Sequence, residues 1–162
     1  MGYTHYWSFN FKAGKSADLE AKYRLAILEC QRVVRAIAEE NRKMYGSSCL
    51  SGYTAHSKLG QYGGLKVNGK GDASREDFIM REHLKENEER NFCKTGQFIY
   101  DTAVVACLAV LKYRLGDVIT VSSDGTTADW EEAVNFAAKI LHRKITIPET
   151  IEQPKRRLRL AR

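Results

Sequence analysis

His5, Lys94, Thr95, Asp101, Ser123 and Asp124 are the residues of this chain whose types could do chemistry. Four of them, His5, Lys94, Asp101 and Asp124, suffice for acid–base work on a phosphorylated or nucleotide substrate, provided they converge on one substrate atom. His5, Asn68, Lys94, Thr95, Ser123 and Asp124 could instead hold a nucleotide-like ligand without reacting. They lie in or beside four polar-aromatic strings: Gly2-Tyr3-Thr4-His5-Tyr6-Trp7, Asn68-Gly69-Lys70-Gly71-Asp72, Phe92-Cys93-Lys94-Thr95 and Ser122-Ser123-Asp124-Gly125. Each string falls where a strand or helix begins or ends, the usual place for residues that bind or react.

Taken singly, each string has a plainer account. Lys94-Thr95-Gly96 lacks the G-x-x-x-x-G-K-[ST] spacing of a phosphate loop. Asp101 fits the cap of the helix it opens. Asp124 fits an Asx-turn, with Gly125 supplying a positive φ. Cys93 beside Lys94 has the surroundings of an activated thiol but no base close in sequence. Tyr3, Tyr6 and Trp7 could stack bases, yet their own strand carries no interleaved basic residues.

The elements that must position these groups follow from hydrophobic periodicity. Alternation over Tyr3–Phe11 predicts a strand. Gly14 breaks it, and Ser16 caps a helix on which Leu19, Tyr23, Ala26, Ile27, Cys30, Val34 and Ile37 share a face, ending near Lys43 before Gly46. Ser47 to Gly64 has no sustained period and reads as a long loop. Leu65-Lys66-Val67 and Phe78-Ile79-Met80 read as short strands joined through the Asn68–Gly71 glycines, and Arg81–Arg90 as a solvated charge run. Asp101–Arg114 has almost no polar face and predicts a buried helix ended by Gly116. Val118–Val121 then predicts a core strand. A last helix carries Trp130, Ala133, Val134, Ala137, Ile140 and Leu141 on one face.

This order defines an α+β domain with a three- or four-stranded, mostly antiparallel sheet packed on three helices. Residues 1–147 form the single domain and 148–162 a basic tail. The 162 residues can bury a core without a metal or disulfide staple. Cys30 and Cys107 sit among apolar neighbours, where free cysteine acts as a small hydrophobe, and reduced thiols are expected. No histidine–cysteine spacing suits zinc, and no cofactor is expected. The longest apolar run, Ala103–Leu111, is too short to span a membrane, and the chain opens on a strand-like segment without a leader, so a cytoplasmic protein is expected. Of the net charge of +6, five positive charges lie in Lys155–Arg162, leaving the remainder at +1. Lys155, Arg156, Arg157 and Arg159 are therefore the expected contacts for phosphates or an acidic partner, and nucleic acid could be met there.

Taken in order, the strings resemble an uncharacterised family of small phage and bacterial proteins that open with G-Y-T-H-Y-W. The likeness runs through Val67-Asn68-Gly69-x-Gly71-Asp72, Glu76, Phe78, Phe92–Thr95, Tyr100-Asp101, Val121–Gly125 and Asp129-Trp130. Similar proteins carry a basic residue and a proline between the counterparts of Thr95 and Tyr100, where this chain has Gln97, Phe98 and Ile99; they often carry histidine where it has Arg75. The resemblance implies a phage or mobile-element accessory protein that binds a nucleotide-like ligand or a host nucleoprotein complex, with host-defence antagonism among the roles it suggests. Its ligand site is expected at His5, Asn68, Lys94, Thr95, Ser123 and Asp124. The alternative is a small enzyme acting on a phosphorylated or nucleotide substrate.

Overall fold

The structure is a computed structural model that describes residues 2–12, 17–52 and 64–155. Gly14, Ser16, most of the Ser47–Gly64 stretch, and Arg156, Arg157 and Arg159 of the tail lie outside the described residues.

Among the described residues, three helices and two three-stranded antiparallel sheets make one α+β unit. Strand β1 (Thr4–Phe9) leads to helix α1 (Ala17–Tyr45), then to β2 (Leu50–Gly52), β3 (Leu65–Gly69), β4 (Phe78–Met80) and β5 (Arg90–Lys94). Helix α2 (Asp101–Leu115), strand β6 (Ile119–Ser123) and helix α3 (Thr127–Leu141) follow. The first sheet has the order β5-β1-β6 and the second β2-β3-β4. The structure bears out the expected helices and antiparallel pairing, and adds β2 and β5 to the strands read from the pattern.

Helix α1 buries Leu19, Tyr23, Ala26, Ile27, Cys30, Val34 and Ile37, the face its 3.6-residue period defines. It stops at Gly46, whose φ of +79° lets its N–H cap the Arg42 carbonyl at 2.8 Å. Helix α2 is buried without interruption from Ala103 to Leu111, because α1, α3 and β6 all pack around it. Cys30 and Cys107 face each other across α1 and α2, where small side chains let the helices approach.

The charge run Arg81–Arg90 is fastened rather than free. Asn87 accepts from the Arg81 N–H and donates to Tyr23 Oη, while Tyr23 donates to the Arg81 carbonyl at 2.6 Å. Glu20 of α1 takes the Leu84 N–H, and Leu84 is buried beneath the charged surface. No helix among the described residues is long and apolar enough to cross a membrane.

Candidate functional site

Pairing in the first sheet brings three of the four strings together. His5 lies opposite Cys93 on β5 and opposite Ser123 on β6, so the inner face of that row carries all three. The chain leaves β5 through Gly96 (φ +61°) and Gln97 (φ +58°), two consecutive left-handed residues that turn it into α2. That turn sets Thr95 over the first residue of the helix, Asp101.

At the centre, His5 is wholly buried and bridges two elements. Its Nε2 is 2.6 Å from Asp101 Oδ1 and its Nδ1 is 2.8 Å from Ser123 Oγ. Thr95 Oγ1 donates to the same Asp101 oxygen. Ser123 Oγ accepts from the Gly125 N–H at 2.9 Å and from Trp130 Nε1 at 3.2 Å. Both hydroxyl lone pairs being occupied, its proton goes to His5 Nδ1, and His5 Nε2–H then donates to Asp101. The tautomer follows from this network. Tyr3 and Trp130 stand edge-on to the imidazole at 5.2 and 5.6 Å between ring centres.

The order Ser123–His5–Asp101 is that of a hydrolytic relay, but its chemistry differs. A nucleophilic hydroxyl needs a free lone pair and an open approach; Ser123 has its lone pairs engaged, and the base behind it has no exposure. The arrangement ties β1, β6 and the start of α2 together through one buried ring. Asp101 therefore serves as the acceptor for His5 and Thr95 rather than as the helix cap expected from sequence, since α2 has no side-chain cap. The helix N-terminus favours its charge.

Asp124 sits at the rim. Its Oδ2 accepts the Thr4 N–H at 3.0 Å while its own N–H donates to the Thr4 carbonyl, so it extends the β1–β6 ladder and the expected Asx-turn gives way to a Ser123 turn. Gly125 is not needed for a positive φ. A Cβ there would fall 2.1 Å from the Tyr3 hydroxyl, so the glycine admits that ring. Lys94 pairs with Thr4 and faces the opposite side of the sheet from His5, its stem passing Gly2. Asn68 lies in the second sheet, where its side chain takes the Gly69 and Arg75 N–H groups and donates to the Arg75 carbonyl and Asp77. Thus His5, Thr95 and Ser123 are brought together with Asp101, Asp124 edges them, and Lys94 and Asn68 stand apart.

The loop that Asn68 holds docks on β5. Glu76 accepts the Lys94 N–H at 2.7 Å, the Tyr100 hydroxyl donates to the Glu76 carbonyl at 2.7 Å, and Arg75 lies 3.7 Å over the Phe98 ring. Sequence reasoning missed Asn87, Arg75 and Glu76 as organisers. The glycine-flanked context of Asn68 was the one available signal.

Cys93 is not an activated thiol. Burial pushes it up to about 12, and its Sγ points at the Glu76 carbonyl. Burial, then the charges of Asp101 and Asp129, likewise pushes the Tyr3 phenol up to about 12. In the unfolded chain these groups lose their protons near 9 and 10, whereas the folded chain retains them. Stability is therefore fully present below about pH 9 and is lost as pH rises toward 12. The urea midpoint is expected to fall steadily over that window. At about pH 8 a thiol reagent should label the half-buried Cys49 quickly and Cys93 only on unfolding. Prompt native-state labelling of Cys93 would contradict this environment.

The other face of the first sheet is open. Tyr6 and Ser8 point outward from β1, with Phe92 and Arg90 beside them on β5 and Ser122 and Thr120 on β6; Thr4, on the same face opposite Lys94, is buried. Tyr6 and Phe92 are directly opposite each other and 43% and 64% exposed. The basic residues that β1 lacks come from its neighbour. The chain matches no family model, no curated protein and no solved structure.

Proposed function

We propose that this is a binding protein, an accessory factor of a phage or mobile element that meets a nucleotide-like ligand or a host nucleoprotein complex. Its ligand is met on the open face of β5-β1-β6, not at the His5 cluster. One observation carries this reading: two exposed aromatic rings stand side by side, flanked on β5 by Arg90 and Lys94. Rings offer a stacking surface to a base, and the cations suit phosphate. The enclosed Ser123–His5–Asp101 chain argues against the enzyme alternative, because every group in it already serves an internal partner.

The test is a thermal-shift and equilibrium-binding panel of nucleotides, cyclic nucleotides and oligonucleotides, run on the wild type and on Phe92→Ala. A base-bearing ligand should raise the melting temperature of the wild type and not of the variant. A panel with no binder, or one whose binder is indifferent to Phe92→Ala, would sink the reading. Host-defence antagonism is tested by capture from infected lysate, with nuclease treatment to distinguish a nucleoprotein partner from a protein alone.

A further inference from the structure

We infer that the ligand of the open face is a single strand of nucleic acid, laid across β5-β1-β6 with two successive bases on Tyr6 and Phe92. This deepens the proposed function and rests on it. Directly opposed residues on antiparallel strands hold their Cβ atoms about 5 Å apart, so the two rings form one continuous platform. One base covers one ring; a strand with two unstacked neighbours covers both.

The cations fit the same length. Arg90 and Lys94 lie two residues to either side of Phe92 on its own strand, about 7 Å away in each direction. A mononucleotide presents its phosphates on one side of its base and can reach one of these cations, whereas a strand passes both. A duplex is excluded by the platform itself, since its bases are already stacked on each other.

Clefts on the two sides of Phe92 differ in charge. On the side shared with β6 lies a cleft of about 370 Å³ in which Arg90 is the sole charged residue, with the hydroxyls of Tyr6, Ser8, Thr120 and Ser122 around it. The cleft on the other side, about 260 Å³, mixes Arg81 and Arg90 with Asp77 and Glu88. The acid-free side is the one a polyanion can cross. Asp124, engaged by the Thr4 N–H, closes the platform at its Lys94 end.

The experiment uses the full chain and fluorescence anisotropy with short labelled single-stranded RNA and DNA of mixed sequence. Competitors are a hairpin duplex and free mononucleotides. Tyr6→Ala and Phe92→Ala should each weaken strand binding by about tenfold or more, Phe92→Trp should preserve it, and Arg90→Ala should flatten the salt dependence by about 0.7 in slope. Duplex and mononucleotide should compete at least about tenfold less well. All three side chains are exposed, and unchanged melting temperatures will show that the variants fold.

Equal affinity for mononucleotide and strand, both lost in Phe92→Ala, would overturn the single-strand inference and leave the broader reading standing. Strand binding that ignores both aromatic variants would overturn both and point to the basic tail. Binding to neither, with a protein captured through the same face, would also overturn both.

Discussion

Replacing His5 with alanine is expected to cost about 4 kcal/mol of folding stability, a large part of the roughly 5–15 kcal/mol that holds a domain of this size. The imidazole makes one bond to a carboxylate and one to a hydroxyl, and the ring is wholly buried. Removing it withdraws one of the two side-chain donors to the Asp101 carboxylate, leaves the Ser123 hydroxyl without its acceptor, and opens a void between Tyr3 and Trp130. A bond to a charged group contributes about 1.5–3 kcal/mol and a neutral one about 1, with the cavity in addition. Asp101→Asn separates the terms. Its amide oxygen can still accept from His5 and Thr95, so the loss should be about 1 kcal/mol, whereas Asp101→Ala orphans two donors and should lose about 3. Urea unfolding with an unchanged slope is the measurement. A cost under about 1 kcal/mol for His5→Ala would mean the ring does not tie the three elements together. Strand binding by a folded Asp101→Asn variant should equal that of the wild type, because the cluster and the open face are on opposite sides of the sheet.

The difference between what sequence revealed and what it hid follows physical lines. Helix α2 was legible because an apolar residue at nearly every position has one solution, burial on all sides. Helices α1 and α3 were legible from their stripes. Strand β5 was not, because only Cys93 of Arg90–Lys94 is buried, and an edge strand with an open face shows no alternation strong enough to read. Its aromatic and basic residues were assigned separately, Phe92 to a polar string and Arg90 to a charge run. Only pairing with β1 makes them one surface. The His5 cluster was legible as a set of residue types but not as geometry: its bonds join positions 96 and 118 residues apart, a distance no local pattern encodes. Once those bonds were visible the roles reversed: His5, Thr95, Asp101 and Ser123 serve one another inside the fold, while Tyr6 and Phe92 face outward.

Gly69→Ala is expected to destabilise the protein by about 3 kcal/mol, and Gly71→Ala, two residues on, by only about 1. The sequence puts both glycines in one turn and assigns them one purpose, but they meet different constraints. Gly71 has a φ of +55° with open space around it, so alanine there suffers only the left-handed backbone penalty. Gly69 has no positive φ; a Cβ on it would lie 2.1 Å from the Ala73 carbonyl oxygen and 2.7 Å from the carbon behind it. Those are backbone atoms, and they cannot turn aside as a side chain would. Ala73 and Ser74 are fixed by N–H bonds to the Lys70 and Gly71 carbonyls, and Arg75 by Asn68 from both its N–H and its carbonyl. Any shift that admits a methyl group must therefore strain the Asn68 clasp. It would also draw Glu76 away from the Lys94 N–H, loosening the contact between the two sheets. The measurement is the pair of urea midpoints, together with the Cys93 labelling rate, which should rise in Gly69→Ala because the Glu76 segment covers that thiol. Equal losses, or a larger loss at Gly71, would mean that backbone conformation rather than close approach governs this turn.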